Sequence, residues 1–204
     1  MLTFLGFVLA NPPGGSYSAS SVAAYLAKGH RVSVLVAMHL ALLGVLGLIY
    51  LLARLRDVID GETEDRRTSA RVFWGAGLAA AASFAGGWAI VGGQVLAHLE
   101  GGSGVVITPP VTHAIGQLGV TFIFGSGAIM LGFALIVLML NSQTTLPAWL
   151  RWLTLVAGLC GIAGLAFFTF FVLLICVIVI STWMLASSHG TESNGSYAAG
   201  GFGS

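Results

Sequence analysis

The sequence predicts an all-α integral membrane protein, a bundle of about five full transmembrane helices preceded by a short N-terminal half-helix. Three observations predict it. Of 204 residues, 57% are apolar and only 7% are charged, whereas an ordinary soluble domain carries roughly 25% charge. Mean hydropathy is +0.97. Several uninterrupted apolar runs reach the ~20 residues that cross a ~30 Å hydrocarbon layer. Residues 1–186 then form a single bundle, and residues 187–204 a Gly/Ser-rich tail expected to be disordered alone.

The opening segment, residues 1–10, is apolar but too short to span, and it lacks the basic stretch of a signal peptide. It reads either as the end of a helix that begins upstream or as a half-helix packed against the others. Asn11-Pro12-Pro13-Gly14-Gly15 stops it, because paired prolines and glycines cannot continue a helix. Ser20 or Ser21 can then cap a short surface helix through Lys28, or the stretch is a plain loop. The first full span covers about 32–53, with Lys28 and Arg31 before it and Arg54 and Arg56 after it.

Residues 54–71 hold five arginines and five acids and read as the one substantial hydrophilic loop, with Thr68 or Ser69 capping the next helix. The second span, 72–96, is rich in glycine and alanine at three- and four-residue spacing, which lets backbones approach and places this helix centrally. A Gly-rich connection ends in Pro109-Pro110, and the third span, 111–140, is long enough to tilt or project. The apolar run that follows is about twice a bilayer core in length, so it divides into spans 147–164 and 166–186 with a tight turn near Gly161 to Leu165. Pro147 suits the first helical position of the fourth span.

Arg54 to Arg71 holds five of the eight Lys and Arg residues, so the positive-inside rule puts this loop in the cytoplasm of a cell whose plasma membrane the chain crosses. Alternation puts the C-terminal tail there too. Tyr50, Trp74, Trp149, Trp152 and Trp183 all fall at the cytoplasmic ends, where amphipathic rings favour the interface.

Net charge is +1, so no basic surface exists to attract nucleic acid. No CxxC pair, phosphate loop or GxSxG elbow occurs, and no catalytic residues are assigned. Cys160 and Cys176 lie within apolar runs and read as small hydrophobes, too far apart in depth to pair. Ionisable groups in a membrane mark function by default, histidine being the mildest case. His39, His98 and His113 are the candidate cofactor ligands, since imidazole suits haem b iron or a metal ion and a bis-histidine haem takes one histidine from each of two helices. The bland alternative is that His98 and His113 are interfacial and His39 is hydrogen-bonded between helices. Gln94, Gln117, Thr121 and Ser126 are the candidates for a polar pathway. Ser181, Thr182 and Thr169 are explained by hydroxyls bonding back to their own helix.

Asn11-Pro12-Pro13 after an apolar segment, Tyr25-Leu26-Ala27 before Gly29-His30-Arg31, Leu52 to Arg56 closing a span and Pro147-Ala148-Trp149-Leu150-Arg151-Trp152 opening another carry a likeness. In these the chain resembles uncharacterised multi-pass proteins common in actinobacteria, a domain family of unknown function. The resemblance implies six helices with a truncated first one, and no activity. Three functional classes follow, in order of preference. They are a non-catalytic accessory or structural subunit that contacts other membrane subunits as well as the bilayer, a haem- or metal-binding redox subunit, and a small channel or transporter for a neutral solute.

Overall fold

The computed structural model describes residues 5–6, 9–10, 20–21, 23, 28–100, 108–142, 145–163 and 167–198; side chains are not described at 28–29, 98–100, 167–170 and 187–198. The described elements are all helices, and no strand occurs among them. They are α1 (Lys28–Ile59), α2 (Glu64–Glu100), α3 (Pro109–Asn141), α4 (Ala148–Ile162) and α5 (Phe167–Ala198). Three of them, α1 to α3, are long and apolar enough to cross a membrane; α4 and the Phe171–Ala186 part of α5 are shorter apolar helices.

The expected loop between 54 and 71 is almost entirely helical. Only Asp60 to Thr63 lies outside α1 and α2. Nothing in this stretch is a proline, and its charges suit helix ends: Arg56 sits in the last turn of α1 and Glu64 and Asp65 in the first turn of α2, where they meet the carbonyl and amide ends of the dipole. Asp60 Oδ1 accepts from the Gly61 amide at 3.0 Å and the Arg67 amide donates to Thr63 at 3.1 Å. Thr68 and Ser69 are therefore inside the helix and cap nothing. The polar residues predict a loop, and instead α1 and α2 extend as a helical hairpin beyond their apolar segments.

Pro109 and Pro110 open α3 at N1 and N2, where a missing amide costs nothing. Midway, Thr121–Gly127 winds as a π-helix between the α-helical segments Pro109–Val120 and Ala128–Asn141. Pro147 is the N-cap of α4, one residue before the helical position expected for it, and its carbonyl accepts from the Leu150 and Arg151 amides. The helix leaves at Ala163 and resumes at Phe167. α5 continues to Ala198, well into the stretch read as a tail. That stretch has no proline to end the ladder.

Each helix packs chiefly on its neighbours in sequence, α1 on α2, α2 on α3, α3 on α4 and α4 on α5. Glycine sets how closely. A Cβ on Gly132 of α3 would stand 2.6 Å from the Gly158 carbonyl oxygen and 2.9 Å from the Ile162 amide nitrogen of α4. A Cβ on Gly87 of α2 would stand 2.7 Å from the Gly119 carbonyl oxygen of α3. Backbone thus lies on backbone at both crossings, and dispersion contacts accumulate where side chains would hold the helices apart. Trp88, Phe73, Leu135 and Leu150 fill the remaining space and are almost fully buried.

The N-terminal segment is tied to α1 at two points. A Cβ on the buried Gly6 would meet the Ala37 carbonyl oxygen at 2.7 Å and the Ala41 Cβ at 3.3 Å. His30 Nε2 stands 3.0 Å from the Ala10 carbonyl.

Candidate functional site

The polar side chains of the helices are the place to look for chemistry, and the structure distributes them rather than gathering them. His39 is exposed on the outer face of α1, and its Nδ1 stands 2.7 Å from the Leu35 carbonyl of the same helix. This contact makes Nδ1 the donor and leaves Nε2 as the acceptor nitrogen of an exposed ring. His113 is half-buried in the second turn of α3. The side chain of His98 lies outside the described residues. Among the described residues no three His, Cys, Asp or Glu side chains come together in a group able to hold a metal ion.

Gln94 is buried in α2. Gln117, Thr121 and Ser126 are exposed on α3. Thr121 donates to the Gln117 carbonyl at 2.8 Å and Ser126 to the Phe122 carbonyl at 3.2 Å. Ser181 and Thr182 donate to Val177 and Ile178 at 2.7 and 2.9 Å, and Asn141 Nδ2 to Val137 at 2.8 Å. Each hydroxyl is satisfied by a carbonyl one turn back on its own helix. Thr169 lies outside the residues with described side chains. Cys160 and Cys176 are both free thiols, half-buried and buried.

Two features escaped the sequence reading. His30 holds Ala10, a contact across 20 residues that no local pattern announces. The π-helical turn of α3 places Ile123, Phe124, Gly125 and Gly127 inward and Thr121, Phe122 and Ser126 outward, and its only trace in the sequence is a run of small and aromatic residues that an α-helix would also accept.

The outer surface is apolar. Val32, Leu46, Tyr50, Trp152 and Leu185 are each more than 60% exposed, and along α1 the exposed stripe Val32, Val36, His39, Leu43, Leu46 and Tyr50 repeats at three- and four-residue intervals. Along one edge of this stripe, with Leu43 common to both, a groove of about 380 Å³ separates α1 from α5, with Phe84 of α2 and Leu131 of α3 as its floor. Family models, curated proteins and solved structures yield no match to this chain. The function must therefore be argued from these surfaces.

Proposed function

We propose that the chain is a multi-pass protein of the plasma membrane and a non-catalytic accessory or structural subunit of a larger membrane assembly, with the charged α1–α2 connection and the C-terminal end on the cytoplasmic side. The membrane reading is supported by the three long apolar helices and by an outer surface whose large side chains are apolar, which water does not tolerate over so wide an area. Arg54, Arg56, Arg66, Arg67 and Arg71 cluster at one end, and exposed Tyr50, Trp149 and Trp152 suit the interface at that end.

One observation carries the subunit reading, namely the outward-facing His39 in the apolar stripe of α1. An imidazole nitrogen facing lipid loses its hydration without replacement, and a polar group from a second chain restores it. Val32, Val36, Leu43 and Leu46 around it offer the apolar contact such a partner helix needs. The test is purification from the native membrane in mild detergent, with co-purifying chains and the visible spectrum recorded on one sample. A colourless protein that brings stoichiometric partners, released by His39→Leu, supports the reading. A Soret band lost in His39→Ala or His113→Ala establishes the haem alternative instead, and a colourless, solitary protein leaves a neutral-solute pathway as the better account.

A further inference from the structure

From the groove between α1 and α5 we infer a lipid site: one acyl chain of a bilayer phospholipid lies in it, with the headgroup phosphate at Arg54. The inference rests on the membrane reading above. The groove is lined on α1 by Gly44, Gly47 and Leu51 and on α5 by Leu174, Ile178 and Leu185. Its mouth is open, since Leu43, Gly47, Thr182 and Leu185 are exposed, while Val45, Phe84, Leu131 and Leu173 close its floor.

Dimensions select the occupant. From Leu173 to Leu185 the α5 wall runs about 18 Å, and from Leu43 to Leu51 the α1 wall runs about 12 Å, at about 1.5 Å per residue. That is the depth of about one leaflet of a ~30 Å hydrocarbon core. The lining along it is almost wholly apolar side chain, which suits hydrocarbon. Ser181 and Thr182 add no polarity to the lining, because both hydroxyls donate to their own helix.

The N-terminal segment covers the neighbouring stretch of the same α1 face. Ala37, Ala41, Gly44 and Leu48 share one face of α1. Gly6 packs on the first two, and the last two line the groove. The half-helix thus covers the leaflet in which α1 begins and leaves the other leaflet's share open. At that end Gly47, Leu51 and Arg54 follow at four and three residues on one face, so the guanidinium stands one turn beyond the apolar lining. Arg54 is exposed, and among the described residues no carboxylate lies within ion-pair distance of it. Asp57 comes a turn later. An apolar slot one leaflet deep, ending in an uncompensated guanidinium at the interface, is complementary to a phospholipid, whose phosphate accepts charge-assisted hydrogen bonds from arginine.

Gly47 supplies the variant that separates this site from the general lipid annulus. A Cβ there meets nothing within 4 Å, so Gly47→Phe fills the groove without displacing a helix. Gly75, exposed on α2 and equally open, provides Gly75→Phe as its control. The full chain is reconstituted in phosphatidylcholine vesicles doped with a phosphatidylglycerol carrying a diazirine in mid-chain, floated on a gradient, irradiated and mapped by peptide mass spectrometry. The site predicts adducts concentrated on residues 43–51 and 173–185, falling about tenfold in Gly47→Phe and unchanged in Gly75→Phe, a change that about 1.4 kcal/mol of lost binding produces. Arg54→Gln, which threatens no packing, lowers labelling by phosphatidylglycerol by a similar factor and labelling by the matching phosphatidylcholine probe by less. Adducts spread evenly over the outward residues of α1, α3 and α5, indifferent to Gly47→Phe, overturn the site and leave the membrane reading standing. Exclusion of the probe from the groove until a second polypeptide is stripped away makes it a protein interface and overturns the lipid. A chain that fails to float with the vesicles overturns the membrane reading itself.

Discussion

The α3–α4 crossing and the α1–α5 groove are built from the same residue and come out opposite. At Gly132, Gly158 and Gly161 the missing side chains let backbone meet backbone, with would-be Cβ positions 2.6 to 2.9 Å from the facing carbonyls or neighbouring backbone atoms. At Gly47 the missing side chain meets nothing within 4 Å. A glycine in a helix therefore says that space is needed or that space is left. Only the partner helix decides which, and the energetic consequence of adding a methyl changes sign between the two regions.

The largest effect is expected at the closed crossing. Gly132→Leu must push α4 off α3, because the obstacle is the backbone at Gly158 and Ile162 and cannot rotate away; a loss of about 3 kcal/mol is expected, at the upper end of overpacking costs. Reversible unfolding in mixed detergent micelles measures it, and a loss under ~1 kcal/mol would mean that the crossing is looser than the contact distances require. Gly87→Ala is milder, about 1 to 2 kcal/mol, since one methyl faces the Gly119 carbonyl at 2.7 Å. In the open region Gly47→Leu goes the other way and gains up to ~0.9 kcal/mol, the difference in helix propensity between glycine and a straight-chain residue. If it destabilised the fold, the groove would already be closed by another part of the chain. His39→Leu is expected to leave the stability of the isolated chain within ~0.5 kcal/mol, as surface substitutions do, while reducing partner recovery. The smallest effect belongs to an exposed ion pair on the α2 surface, Arg71 to Glu64 at 3.4 Å with side chains 67% and 71% exposed. Glu64→Gln changes stability by no more than ~0.5 kcal/mol, because solvent and salt screen such a pair.

Helix ends follow the sequence where composition changes sharply. The third span, expected at 111–140, is helical at Pro109–Asn141, since two prolines can stand only at its start and the polar Asn141 to Thr145 stretch closes it. Charge was a poorer guide. Residues 54–71 are polar enough to leave a bilayer, but leaving the bilayer does not end a helix, and the ladder runs on until Asp60 and Gly61 turn it. The polar candidates show a related limit. Spacing puts Gln117 and Thr121 on one face of α3, and they share a face, yet which face turns inward is set by where α2 and α4 press. Both turn out exposed, while Gln94, no different in chemistry, is buried. His39 likewise faces away from the bundle.

By itself the sequence determined that the described apolar segments are helical, because backbone hydrogen bonding and hydrophobicity act locally and can be read from consecutive residues; of the five full spans expected, three helices are long and apolar enough to cross a membrane and two are shorter. The tertiary structure alone decided which glycines close a seam and which leave a groove, which polar side chains face outward, and that the N-terminal segment sits on Ala37 and Ala41. These depend on atoms brought together from distant positions, and a helix surface of one apolar character carries no mark of the side on which its neighbour will lie.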